Sequence, residues 1–299
     1  MALRLALISF LAIFTFGSSA QAVREIYFRV TLSDCDLENK AGNRVEERTF
    51  TDHAILKLPA SYSETGKPTR LIYMAHGAGG GVTEKEWFLN RFGLQELLLQ
   101  NGYAVFDVNG GRIENMGGEF VLASAFKAYQ HIVENYNIHP RIIVGGFSMG
   151  GLSSTNFVYR YSPLVLAHVM YSPVLDLYGQ AWQNPWLKTT RKAIAEVYRF
   201  QDPSGNRFDS CAMAGSNPLM KFLVRSGADT LKLYPVPVKI WHGTGDKVVT
   251  VGSSRLFYKY VKQGGSPAEL VEIDSDDHGL SCGNAEMNRE LLEYIKRFN

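Results

Sequence analysis

Ile142-Ile143-Val144-Gly145-Gly146-Phe147-Ser148-Met149-Gly150-Gly151 decides the reading of this chain. A short apolar run rich in β-branched residues enters a glycine-flanked serine, and an amphipathic stretch leaves it. The first part reads as a buried strand and the last as a helix. The G-x-S-x-G pattern at 146–150 arises by chance in roughly one chain in five of this size and composition, so its context must decide. A strand-to-helix turn this tight forces the central residue into strained backbone angles. It also needs small neighbours where backbones approach. Such a turn lifts the Ser148 hydroxyl out of the C-terminal edge of a sheet, which makes it a candidate nucleophile.

Outward from this turn, near-continuous apolar runs recur at Leu71–Ala75, Tyr103–Val108, His168–Tyr171, Val238–Trp241 and Leu270–Ile273. Runs of this kind suit strands covered on both faces, and together with Ile142–Gly145 they predict a mainly parallel sheet. Residues 24–34 and 48–59 instead alternate apolar and polar side chains, as in Ile26, Phe28 and Val30, and predict an antiparallel leading edge. Helical spacing is clearest at Leu122, Ala125, Phe126, Tyr129, Ile132, Val133 and Tyr136. Further helices are expected at 84–100, 150–161, 252–263 and 285–298. About sixty residues between Pro173 and Pro237 break the alternation and are too long for a plain connection. A small cap over 175–236, helical at 186–200, is expected there, with Trp182 and Trp186 as candidate walls of a substrate pocket.

A serine hydroxyl is a weak nucleophile until a base takes its proton. His278, in Asp276-Asp277-His278-Gly279, follows the last apolar run and is the histidine best placed to serve. His76 and His242 open loops of their own and are expected to hold backbone there. The base needs an orienting carboxylate. Asp246, in His242-Gly243-Thr244-Gly245-Asp246, follows the strand at 238–241 and sits at the same sheet edge. Asp276 and Asp277 are the rivals, but as neighbours of His278 they would have to double back to reach its ring. Donors for a developing oxyanion are expected from the backbone N–H of Met149 and from the loop His76-Gly77-Ala78-Gly79-Gly80-Gly81, with Ala78 the first choice and Gly79–Gly81 the alternatives. In the loop after Tyr103–Val108, Arg112 is a candidate for gripping an anionic substrate group.

Taken together, HGAGGG at 76–81, GFSMGG at 146–151, HGTGD at 242–246 and DDHG at 276–279 resemble the α/β-hydrolase superfamily over residues 24–299. The chain order Ser148, Asp246, His278 is the order of that superfamily. The resemblance is to its dienelactone-hydrolase-like and prolyl-oligopeptidase-like branches, which include secreted carboxylesterases. The chain differs from the dienelactone hydrolases, which use cysteine where it has Ser148, and no propeller domain is recognisable in it. The resemblance implies an α/β fold with a mostly parallel twisted sheet flanked by helices, and a serine esterase that needs no metal or organic cofactor. A small serine peptidase or amidase with the same machinery is the alternative. A non-catalytic binding module on this fold would usually have lost a member of the triad.

The rest of the sequence bounds where such a protein works. Lys and Arg number 31 against 29 Asp and Glu, a net charge of +2 that marks no nucleic-acid or anionic-membrane footprint. Arg4, the apolar run Leu5–Phe16 and the small residues Ala20 and Ala22 fit a cleavable signal peptide over residues 1–22, cut before Val23. A secreted or periplasmic protein without stable membrane insertion is therefore expected, with residues 23–299 as one domain. Its partner would be a small-molecule or polymer-linked ester. In an oxidising compartment one pair among Cys35, Cys211 and Cys282 is free to bridge, and all three pairings remain open.

Overall fold

A computed structural model describes residues 22–33, 49–82, 94–183, 187–198, 215–223, 234–279 and 285–299. Eight strands form one sheet: β1 (Arg24–Ser33), β2 (Thr49–Leu58), β3 (Leu71–Ala75), β4 (Ala104–Val108), β5 (Ile142–Phe147), β6 (Val165–Tyr171), β7 (Val238–Gly243) and β8 (Ala268–Ile273). Their order across the sheet is β1-β2-β4-β3-β5-β6-β7-β8. The pairs β1–β2 and β2–β4 are antiparallel and every later pair is parallel. The alternating sequence of β1 thus lies at the edge, where one face meets water. The central strands β3, β4 and β5 are buried at every position.

Helices cover both faces, and the side-chain alternation of the strands shows which helix packs where. Leu71, Tyr73 and Ala75 point to one face with Ile132 of α2 (Glu119–Asn135), Phe157 of α3 (Met149–Tyr161) and Phe257 of α7 (Val251–Gln263). Ile72 and Met74 point to the other, with Leu98 of α1 (Leu94–Gln100) and Leu291 of α8 (Ala285–Lys296). Ile132, Phe157 and Phe257 are fully buried, and burying a side chain of this size contributes about 1.5–3 kcal/mol. The step from β3 to β4 runs one way across the sheet and every later step runs the other, so right-handed crossovers put α1 on one face and α2, α3 and α7 on the other.

The interval after β6 carries α4 (Leu177–Gln183), α5 (Leu187–Val197) and α6 (Pro218–Leu223). The helix expected at 186–200 is α5. A third apolar cluster, with Met116, Met149, Leu152, Leu177, Ile194 and Val249 among its members, packs α4 and α5 against the start of α3. Tyr198 adds a hydrogen bond from its hydroxyl to the Met116 carbonyl, 2.7 Å.

Some boundaries differ from the sequence reading. Strand β6 begins at Val165, three residues before His168, and α2 begins at Glu119. Of the helix expected at 84–100, residues 94–100 are helical, and 83–93 lie outside the described residues. Residues 1–21, Trp186 and all three cysteines also lie outside them, as does the side chain of Trp182 on α4. Among the described residues, no helix is long and apolar enough to cross a membrane.

Candidate active site

Ser148 occupies the one-residue turn between β5 and α3 with φ 54° and ψ −120°, a conformation that L-residues rarely adopt. Strain of this kind costs on the order of 1–3 kcal/mol and persists only when the surroundings fix it. Here they do. The Ser148 N–H donates to the Tyr171 carbonyl at 3.0 Å, and the Ser148 carbonyl accepts from the N–H groups of Gly151 and Val174, each at 2.9 Å. Strand β6 and the chain just beyond it therefore hold the turn from the side. The two flanking glycines are needed for close approach: a Cβ on Gly146 would collide with the Gly150 carbonyl, and one on Gly150 with the Ala75 carbonyl.

The turn brings Ser148 under His278. The hydroxyl Oγ lies 2.9 Å from His278 Nε2, and His278 Nδ1 lies 2.6 Å from Asp246 Oδ2. An ionised carboxylate only accepts, so Nδ1 carries the proton toward Asp246, and in the neutral ring Nε2 is the acceptor that faces the serine. The Phe147 ring lies 4.9 Å from the His278 ring, centroid to centroid, and backs the imidazole from the strand side. Ser148 is buried, and the His278 side chain is mostly so.

Asp246 sits in the loop after β7 with its side chain fully buried. Its Oδ1 accepts the N–H groups of Val248 at 2.8 Å and Val249 at 3.0 Å. Burial alone would raise its pKa. Hydrogen bonds from His242 and His278, the charge interaction with His278 and the Val249 N–H outweigh burial and hold the carboxyl well below the usual range. Asp276 and Asp277 are exposed, and Asp277 accepts the Gly279 N–H at 2.8 Å within its own loop. The His278 Nδ1 bond given above runs to Asp246, not to these neighbours.

The glycine-rich loop after β3 lies against the same turn, since a Cβ on Gly77 would strike the Phe147 ring. Two of its donors are already committed: Gly79 N–H to the Ile113 carbonyl at 3.2 Å, and Gly80 N–H to the Gly77 carbonyl at 3.1 Å. Ala78 is exposed at the loop's tip. Met149 begins α3, where the first four backbone N–H groups have no partner within the helix. At the base of the loop, buried His76 meets Asp107 Oδ2 through Nδ1 at 2.9 Å. Burial opposes charge on His76, but Asp107 prevails and its pKa is raised.

The Arg112 side chain is half-buried and its guanidinium pairs with Glu196 of α5 at 2.7 Å, so it ties the loop after β4 to the interval after β6. A cleft of about 210 Å³ lies between α4 and the start of α7, lined by Asp176, Gln180, Leu219, Lys247, Val248 and Leu256; Ser148 and His278 are not in its wall. Two contacts escaped the sequence reading: Phe147 against His278, and His242 Nε2 at 3.4 Å from Asp246 Oδ2. The only signal for either was its place inside a motif, at the variable position of G-x-S-x-G and at the head of HGTGD.

No family model matches the sequence, and no curated protein matches it. Among solved structures the chain is similar to Pyrococcus horikoshii acylaminoacyl peptidase, with a TM-score of 0.66 at 15% identity over 92% of this chain and 42% of that one. It is similar to a Mycobacterium tuberculosis puromycin-hydrolyzing peptidase, with a TM-score of 0.65 at 19% identity over 94% and 39%. It is also similar to a Pyrococcus furiosus esterase, with a TM-score of 0.57 at 18% identity over 83% and 86%. The chain thus spans about two-fifths of the length of the two peptidases. These likenesses show the α/β-hydrolase fold.

Proposed function

We propose that this chain is a serine hydrolase that cleaves carboxylic esters through an acyl-enzyme on Ser148. The observation that carries the reading is the unbroken line from Ser148 Oγ through His278 to Asp246, at 2.9 and 2.6 Å, starting from a strained turn. Ser148 Oγ attacks the ester carbonyl carbon while His278 Nε2 takes its proton. Asp246 holds the ring in the required tautomer and stabilises the imidazolium that results. The N–H groups of Met149 and Ala78 receive the oxyanion. The commitment of the Gly79 and Gly80 donors to other carbonyls supports Ala78 within that loop. His278 then protonates the leaving alcohol, and water, activated by the same base, releases the acid and restores the serine.

The likeness to an esterase supports an ester substrate, beside the likeness to the two peptidases. Their names keep an amidase or peptidase as the second reading. The insertion over 175–236 acts in this reading as a cap that sets acyl-chain preference, and the enzyme works outside the cytoplasm after cleavage behind Ala22. Matched nitrophenyl ester and nitroanilide substrates with one acyl group test the substrate class. The ester is expected to have the higher kcat/KM by about a hundredfold or more, a barrier difference of about 2.7 kcal/mol. An anilide cleaved as fast as its ester would make the chain an amidase.

A further inference from the structure

We infer that His242 is a second positioning histidine of this site, which fixes the Asp246 carboxylate at the oxygen that His278 meets. The inference rests on the serine-hydrolase reading and goes beyond it, since a triad needs only one histidine. His242 ends β7 one residue before its terminus and is fully buried. Its Nε2 lies 2.8 Å from the Val249 carbonyl, a group that only accepts, so Nε2 carries a proton. The same nitrogen lies 3.4 Å from Asp246 Oδ2, the oxygen that meets His278. On the other side of the ring, Nδ1 lies 2.7 Å from the hydroxyl of buried Ser254 on α7.

These contacts close a ring. Asp246 Oδ1 binds the N–H groups of Val248 and Val249, and the Val249 carbonyl returns to the β7 strand through His242. The acid loop is thereby tied at both ends, and Oδ2 is held where His278 Nδ1 needs it. Without the Nε2 donor, Val249 loses its tether and Asp246 is free to swing with the loop. His242 is fully buried and opens onto no solvent, so the loss should fall on kcat and leave KM alone.

The test compares His242→Leu, which removes the donor, with His242→Gln, whose amide nitrogen stands near the Nε2 position. Fluorophosphonate titration counts the reactive serines in each preparation, and kcat is expressed per titrated site. For His242→Leu we expect kcat per site to fall about thirtyfold or more with KM within about twofold, and for His242→Gln to recover to within about fivefold of wild type. Ser254→Ala, a small truncation on α7, should lower kcat per site about threefold or more by freeing the ring. It carries the test should His242→Leu not fold. Unchanged kcat per site in His242→Leu, with a smaller fraction of titratable serines, would make His242 a packing residue and overturn the inference. Equal losses in the Leu and Gln variants, or no loss in Ser254→Ala, would also overturn it. Failure of the wild-type protein to titrate at all would instead remove the serine-hydrolase reading itself.

Discussion

The carboxylate of Asp246 divides its work between two oxygens: Oδ1 binds its own loop through Val248 and Val249, and Oδ2 faces His278 and His242. Asp246→Asn keeps the volume and one of these oxygens. It must, however, offer either an amide N–H or a neutral carbonyl to His278, so the tautomer and the imidazolium are no longer both supported. We expect kcat to fall on the order of 10³–10⁴-fold with KM nearly unchanged. Asp276→Asn and Asp277→Asn should stay within about tenfold of wild type, about 1.4 kcal/mol of barrier. Steady-state kinetics on one ester checks all three, and an inactive Asp277→Asn beside an active Asp246→Asn would reassign the acid. At this scale the sequence was most informative where chemistry and chain order coincide. Ser148, Asp246 and His278 could be picked out because each follows a strand at the same sheet edge. The contact of His242 with Asp246 was not legible, because the turn from the end of β7 through Thr244 and Gly245 leaves the relative direction of two side chains undetermined. The pairing of Arg112 was not legible for a similar reason: its partner Glu196 lies far along the chain, and no local pattern announces it.

In strand β6, the setting of His168 bears on stability. His168 is fully buried between the hydroxyls of Tyr234 at 2.8 Å and Ser154 of α3 at 2.8 Å, and burial pushes its pKa down from 6.5 to about 3. The unfolded chain therefore binds a proton at this ring between about pH 6.5 and 3 that the folded chain refuses. Stability contributed by the neutral ring is present above the unfolded value and is lost as pH falls through that window, by about 1.4 kcal/mol per pH unit at full slope. Denaturant unfolding at pH 7, 6, 5 and 4 should show this loss, and His168→Gln, which cannot titrate, should show a shallower one. Equal slopes in the two proteins would mean that other groups set the acid sensitivity. The elements themselves were read well where one pattern dominates. Strands β3 and β4 are buried on both faces and appear as unbroken apolar runs, whereas β1 sits at the edge and alternates. The start of β6 was read late because Val165-Leu166-Ala167 follows a short 3₁₀ turn at Ser162–Leu164, and the sequence marks no boundary between them. The interval after β6 stood out by its length, while the docking of α5 through Ile194 and Tyr198 onto Met116 depends on contacts that no periodicity specifies.

For the molecule as a whole, the proposed nucleophile is made by distant parts of the chain. Ser148 comes from the β5–α3 turn, Asp246 from the loop after β7 and His278 from the loop after β8, and the sheet order places these strand ends along one edge. On this proposal the reactivity of the serine is a property of the folded sheet and not of the G-x-S-x-G segment, which in an unfolded chain has no base within reach. That contrast gives the most direct test. Intact-mass analysis of the protein after brief exposure to a fluorophosphonate should show a single adduct per chain, located on Ser148 by peptide mapping. The adduct should be absent from Ser148→Ala and from wild-type protein unfolded in guanidinium before exposure. An adduct on a different serine of the native protein, or equal labelling of the native and unfolded chains, would contradict the account.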